Sequence, residues 1–270
     1  MLRVPLADGA AWFKACAPVQ AFEPRLSASL FRRWPDRVPE VLDHDEARAW
    51  LLLADAGTTL GAQGNPPEAW LRVLPGYAEL QLGEAERVAE HLMFGVPDLR
   101  LPTLPNRYAE LLEHELPIDP GEMERLREFA PRFGELCAEL ATHAIPESVQ
   151  HDDLHYANVY VQGECLRVLD WGDASISHPF ASLIETFRFL ELAPNRLAPS
   201  DPWFARLRDA YLEPWGQGLT ETFALAMRVG TFAHTCAWAR QRDALPHEAR
   251  LEFDRAFGTI LRRAITLTVD

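Results

Sequence analysis

The sequence predicts an α+β fold in two lobes, a small sheet lobe over residues 1–57 and a large, mainly helical lobe over residues 58–270. Three observations predict it. Short apolar runs bounded by turn residues fill the first part of the chain. Apolar residues at helical spacing dominate from Glu68 to the end, and one polar loop followed by an alternating hairpin, His151 to Asp173, interrupts them. At 270 residues with 48% hydrophobic residues there is material for one large domain or two modest lobes. No apolar run approaches the roughly 18 to 20 residues that span a bilayer, and the basic-then-apolar layout of a signal peptide is missing, so the expected compartment is the cytoplasm. Cys16, Cys137, Cys165 and Cys236 are far apart with no Cys-x-x-Cys pair, which implies neither a zinc site nor a disulfide framework. The formal net charge of -14 opposes binding to nucleic acid or anionic membrane and favours a cationic small-molecule partner.

Leu2 to Leu6 and Ala11 to Cys16 read as strands joined by the turn Ala7-Asp8-Gly9-Ala10. The second strand carries Lys14, the only lysine in the chain. Every other basic residue is an arginine, so a lone lysine invites a chemical explanation: a compact ammonium sits well between nucleotide phosphates, where a forked guanidinium fits less well. The alternative is a solvated strand lysine. Phe22-Glu23-Pro24-Arg25-Leu26 opens a helix to about Arg33, with Pro24 tolerated in its first turn and Glu23 favoured by the helix N-terminus. Glu40 to Asp43 and Trp50 to Ala54 read as further strands, the second almost wholly apolar and therefore central in its sheet. Asp55 to Pro67, rich in Gly, Pro and small residues, reads as a connection, and the lobe boundary falls there.

Helical patterns follow from Glu68 through Leu80, at Ala85 to Met93, Pro105 to His114 and Glu122 to His143, and beyond the hairpin at Phe180 to Leu192, Trp203 to Trp215, Thr220 to Arg240 and His247 to Leu267. Trp203, Trp215 and Trp238, with Glu185 and Asp201, carry the chemistry of a cation pocket, but Trp at helical spacing is more often core and no site role is assigned to them. His178 and His234 are read as structural.

The stretch His151-Asp152-Asp153-Leu154-His155-Tyr156-Ala157-Asn158 is a polar loop. Val159, Val161, Leu166 and Val168 then alternate through a hairpin turning at Gln162-Gly163, which returns Asp170 beside the loop. Phosphoryl transfer to a hydroxyl needs a proton acceptor and oxygen ligands that hold Mg2+ against the nucleotide phosphates, and this unit supplies all of them. Two alternatives remain at this point. Each residue alone serves equally as a turn former, and His151, Asp152, Asp153 and His155 together suit a transition metal.

The ordered set H-x-D-L-H-x-x-N, alternating hairpin and Asp170-Trp171-Gly172 resembles the catalytic and metal-binding segments of the aminoglycoside phosphotransferase family, which shares the protein-kinase-like fold. Trp12-Phe13-Lys14-Ala15 and Phe22-Glu23-Pro24-Arg25-Leu26 are similar to its lysine strand and glutamate helix. The resemblance runs from Trp12 through Pro179. It implies Asp153 as catalytic base, Asn158 and Asp170 as magnesium ligands, Lys14 on the phosphates of ATP or GTP with Glu23 as its partner, and hinge backbone near Ala54, Asp55 and Ala56 against the purine edge. It implies His151 as the brace of the loop. The acceptor it implies is a small molecule of aminoglycoside or amino-sugar type.

Two departures stand out. Where the family has Asp-Pro-x-x-Asp-Leu, this chain has His178-Pro179-Phe180-Ala181-Ser182-Leu183. The lysine strand also begins only about ten residues from Met1, so the expected sheet lobe is N-terminally shortened, without a first strand and phosphate-covering loop. The competing functions are a nucleotide-binding pseudokinase without turnover and a metal-dependent hydrolase using the His-Asp cluster. Lys14 and Glu23 have no purpose in the hydrolase.

Overall fold

The computed structural model describes all residues except Asp8, Glu164 and Asp270. The first sheet is antiparallel with strands β1 (Leu2–Leu6), β2 (Gly9–Ala15), β3 (Val41–Asp45) and β4 (Trp50–Ala54) in the order β1-β2-β4-β3. The apolar strand β4 is central, as its composition predicts, because both its edges pair. The predicted turn between β1 and β2 lies in part, at Asp8, outside the described residues. Directly paired residues share a face, so Lys14 opposite Leu51 and Trp12 opposite Leu53 all project to one side of the sheet.

Helix α1 (Glu23–Arg33) follows β2, and Pro24 stands in its first turn, where a missing N–H costs nothing. Its apolar stripe, Leu26 and Leu30 with Phe22 before it, is buried in the main core beside Trp70, Leu74 and Tyr77 of α2 (Pro67–Glu84), not in the small cluster under the sheet. The segment expected to be only a connection contains β5 (Thr58–Thr59), which pairs with the hairpin and is followed by a 3-10 turn at Leu60–Gln63. A strand of two threonines is shorter than any period can reveal.

The helical body continues with α3 (Val88–Met93), α4 (Leu104–Leu112) and α5 (Pro120–Ala141); Asp119 and Glu122 close a capping box at the start of α5. Strands β6 (Ser148–Gln150), β7 (Val159–Gln162), β8 (Cys165–Val168) and β9 (Ser175–Ser177) come next. The predicted hairpin is β7–β8; the pairing of β6 with β9 is an addition, made of serine-containing triplets too short for an alternating pattern to stand out. Then come α6 (Leu183–Glu191), α7 (Pro202–Leu212), α8 (Thr220–Ala244) and α9 (His247–Thr266). The run from His178 begins α6 with a 3-10 turn, and Ser182 Oγ takes a hydrogen bond from Gln81 Nε2 at 3.0 Å and lies 3.3 Å from the Tyr77 hydroxyl. A neutral, buried hydrogen-bond network therefore stands where the resembling pattern has carboxylates. The four cysteines are free, and no helix among the described residues is long and apolar enough to cross a membrane.

Candidate active site

Strand β2 and the first turn of α1 bring Lys14 and Glu23 together, with Nζ 2.5 Å from Glu23 Oε2 and 2.6 Å from Asp170 Oδ1. The ammonium is thus held between a helix carboxylate and the carboxylate that the hairpin returns. Burial by itself would lower the Lys14 pKa, but Glu23 and Asp170 outweigh it and hold the ammonium protonated well above its ordinary range. Asp170 is held below the usual carboxylate range because Lys14 more than offsets its burial. Glu23 is pushed up by burial, which Lys14 only partly offsets.

Gly172 makes this contact possible. A Cβ there would lie 2.8 Å from both Glu23 Oε2 and Gln20 Nε2. Gly172→Ala is expected to push Glu23 off Lys14 and to destabilise the fold by about 1–3 kcal/mol through overpacking. Urea denaturation read beside a titration with Mg-ADP checks both effects.

The polar loop is braced from below. His151 is fully buried, its Nε2 lies 2.7 Å from the Leu169 carbonyl, and its ring packs against Trp171, tilted by 60° with centroids 4.9 Å apart. Burial lowers its pKa, so it serves as a neutral donor. Asn158 donates to both the carbonyl and Oδ2 of Asp153, each at 2.9 Å, and His155 Nε2 sits 3.3 Å from the same Oδ2. Oδ2 of Asp153 is therefore committed within the loop, and Oδ1 is the oxygen left for a substrate. Leu169 N donates to the Asn158 carbonyl at 2.8 Å, which sets Asp170 beside Asn158.

Asp152 and Asp170 both adopt left-handed backbone, φ 62° and 65°. Such conformations outside glycine concentrate at functional sites. The set His151, Asp152, Asp153 and His155 does not converge as a transition-metal site. His151 faces a backbone carbonyl, Asp152 is enclosed by Ser175 and Gln150, and among the described residues no three His, Cys, Asp or Glu side chains form a metal-holding group. The oxygen donors suit Mg2+ better: the amide oxygen of Asn158 accepts no hydrogen bond among the described residues, and the Asp170 side chain is partly open to solvent.

A second face of the cleft lies toward the sheet. Trp12, Leu51 and Leu53 from the sheet meet Ala56, Tyr160 and Leu169 in a small apolar cluster separate from the main core. The Ala54 amide donates to Glu40 O at 3.0 Å, which leaves its carbonyl as the backbone group it could offer to a ligand. Among the described residues the Ala56 amide has no acceptor, and the Asp55 carboxylate accepts the Gly57 amide at 3.0 Å. Trp12 and Tyr160 carry no site role in the sequence reading, yet period two already requires Trp12 to share the face of Lys14.

On the far side of Asp153 a cleft of about 360 Å3 is lined by Asp152, Asp153, Asp173, Phe189, Trp238 and Phe253. Asp173 takes hydrogen bonds from Gln20 Nε2 at 2.9 Å and from Gln241 Nε2, and burial raises its pKa. Trp238 is the one tryptophan of the three noted above to reach this cleft; Trp215 packs on Phe180 and Trp203 under Arg206. Glu185 lies beneath, paired with His234 at 3.1 Å and with Arg188, and Asp201 caps α7 elsewhere. A larger cleft, about 510 Å3 around Val19, Arg107 and Arg240, contains none of the loop residues, so volume alone does not locate the chemistry.

No protein-family model and no curated protein sequence matches the chain. Solved structures do. A choline/ethanolamine kinase family protein from Mesorhizobium loti is 15% identical, covers 96% of this chain and 86% of its own, and has a TM-score of 0.59. An aminoglycoside 2'-phosphotransferase solved as its GDP complex is 16% identical over 98% of this chain and 93% of its own, with a TM-score of 0.60. An aminoglycoside phosphotransferase from Streptomyces rimosus, in complex with ADP and streptomycin, is 19% identical over 86% of this chain and 88% of its own, with a TM-score of 0.53. The chain has the fold of these small-molecule kinases: a small sheet part on a larger helical body, in the protein-kinase-like arrangement.

Proposed function

We propose that this protein is a small-molecule kinase that transfers the γ-phosphoryl group of ATP or GTP to a hydroxyl of a small acceptor, with an amino-sugar or aminoglycoside-like molecule as the first candidate. The observation that carries the reading is Lys14 bridging Glu23 and Asp170 beside the Asp153–Asn158 loop. Desolvating these three charges has a cost that an apolar trio would avoid, and a nucleotide polyphosphate is a ligand that would use the cation they hold in place. The base would lie against Trp12, Tyr160 and Leu169 with its edge toward the Ala56 amide, and Lys14 would hold the phosphates. Asn158 and Asp170 would hold Mg2+, which neutralises charge building on the phosphates. Asp153 Oδ1 would accept the proton of the attacking hydroxyl. On this reading residues 1–57 form the nucleotide roof and residues 58–270 carry the loop and acceptor cleft.

The acceptor chemistry is drawn from the cleft: the carboxylates of Asp153 and Asp173 and the rings of Trp238 and Phe253 suit a cation, while the Phe189 ring is already stacked on by His155 and by Arg188, which also lines the cleft. The solved relatives that carry ADP with streptomycin, or GDP, point the same way in nucleotide and acceptor. The test is a panel of hydroxyl-bearing amines and their uncharged analogues, scored by phosphate transferred with Mg-ATP and Mg-GTP. Transfer to amines and none to their neutral analogues is expected. Nucleotide binding without transfer to any acceptor would overturn the enzyme reading in favour of a regulatory nucleotide-binding module.

Asp173→Asn is expected to raise the KM for the cationic acceptor about tenfold, the worth of one charged hydrogen bond, with the nucleotide KM unchanged. Initial-rate measurements varying each substrate separately check it.

A further inference from the structure

Helix α1 is pinned at both ends. Its first residue, Glu23, holds Lys14; its last turn, about 15 Å away at 1.5 Å per residue, ends on a second buried carboxylate. That carboxylate is Glu84, the last residue of α2, whose side chain is fully buried. Four donors converge on it: Arg33 Nε at 2.7 Å and Nη2 at 2.6 Å, Trp34 Nε1 at 2.7 Å, and His91 Nε2 at 2.8 Å. The fork geometry of Arg33 fixes direction as well as distance. Gly83 lets Trp34 lie flat on α2, since a Cβ there would stand 2.4 Å from the indole. Between the two ends, Leu26 and Leu30 are buried in the core of the helical body. These contacts attach α1 to the helical body from one end to the other.

We propose that Glu84 is a positioning residue for the nucleotide site: by clamping Arg33 and Trp34 it fixes α1 as a strut, and the strut fixes Glu23 and hence Lys14. This rests on the kinase reading of the Lys14 site. The consequence is that the Lys14–Glu23 pair is set from the helical body, so the phosphate-binding end of the cleft is built before nucleotide arrives. Glu84 remains ionised at neutral pH. Its burial would raise its pKa, but His91, Arg33 and Trp34 together pull it down to about 2.

The test compares Mg-ADP with adenosine, because only the diphosphate needs Lys14. In Glu84→Gln the dissociation constant for Mg-ADP is expected to rise about tenfold, within the range of long-range coupling, while that for adenosine stays within about twofold. Arg33→Lys, which keeps the charge and loses the fork, should fall between wild type and Glu84→Gln. Trp34→Phe removes one donor, leaves the carboxylate in place, and provides a milder variant if Glu84→Gln does not fold; it should weaken Mg-ADP selectively by a smaller factor. Equal loss of ADP and adenosine binding, or a lower melting temperature with neither affinity changed, would overturn the proposal by reducing Glu84 to a structural role. Wild-type protein that binds adenosine and Mg-ADP equally would overturn the reading of Lys14 itself, a different failure visible before any variant is made.

Discussion

Replacing Asp153 by Asn is expected to lower phosphate transfer about a thousandfold, the middle of the range for a lost general base, while Mg-ATP still binds within about twofold of wild type. The asymmetry follows from what each oxygen of Asp153 does. Oδ2 is taken by Asn158 and approached by His155, so the side chain is fixed in orientation without any ligand. Asp153 lines the acceptor cleft, its Oδ1 has no hydrogen-bond partner among the described residues, and no contact of the Lys14–Glu23–Asp170 cluster involves it. Asn keeps the shape and one acceptor oxygen but cannot take a proton at neutral pH. Transfer measured with saturating acceptor, beside calorimetric titration with Mg-ATP, separates the two effects. A variant that loses nucleotide affinity in parallel with rate would show that Asp153 acts on the nucleotide and not on the acceptor.

Much of this geometry is legible before any coordinates. The pairing of Lys14 with Glu23 is what the resemblance of their two segments implies, and the alternating hairpin returns Asp170 to the polar loop; the contact between Lys14 and Asp170 is seen only in the structure. What is not legible arises from contacts between distant segments. Gln20, Asp173 and Gln241 are ordinary polar residues in sequence, and only the approach of α8 to the hairpin exit joins them. Trp238 is indistinguishable by periodicity from a core tryptophan, and it does pack on Phe253 and Phe257; its exposure to the cleft depends on where α8 and α9 cross. The same holds for Glu84, whose buried charge makes no sense in a helix pattern until Arg33, Trp34 and His91 are seen around it. That the Ala54 amide is taken is not legible either, because its acceptor is the carbonyl of Glu40, just before β3. The run at His178 carries no carboxylate, and the fold accommodates this with hydroxyl and amide partners at Ser182, Gln81 and Tyr77.

Replacing Asp170 by Ala is expected to abolish the dependence of nucleotide binding on Mg2+, and the sign of the effect should reverse when the metal is removed. With Mg2+ present, the variant lacks the carboxylate that would hold the ion against the phosphates, and affinity should fall at least about tenfold. Without Mg2+, wild-type Asp170 is an anion facing an anion. At about 5 Å and an effective dielectric near 20, that repulsion is about 3 kcal/mol, so the variant should bind metal-free ATP more tightly than wild type does. Lys14 stays in place throughout, because Glu23 holds it at 2.5 Å independently of Asp170. The wild-type carboxylate is ionised at neutral pH, since Lys14 holds its pKa below the usual range against the opposing effect of burial. Wild-type Mg2+ dependence should therefore persist through mildly acidic pH and vanish only when Asp170 protonates, below the ordinary carboxylate range. Titrations with ATP in Mg2+ and in EDTA, for both proteins, give the four affinities needed. Retention of Mg2+-stimulated binding in Asp170→Ala would remove Asp170 from the metal site and leave it only as the second partner of Lys14.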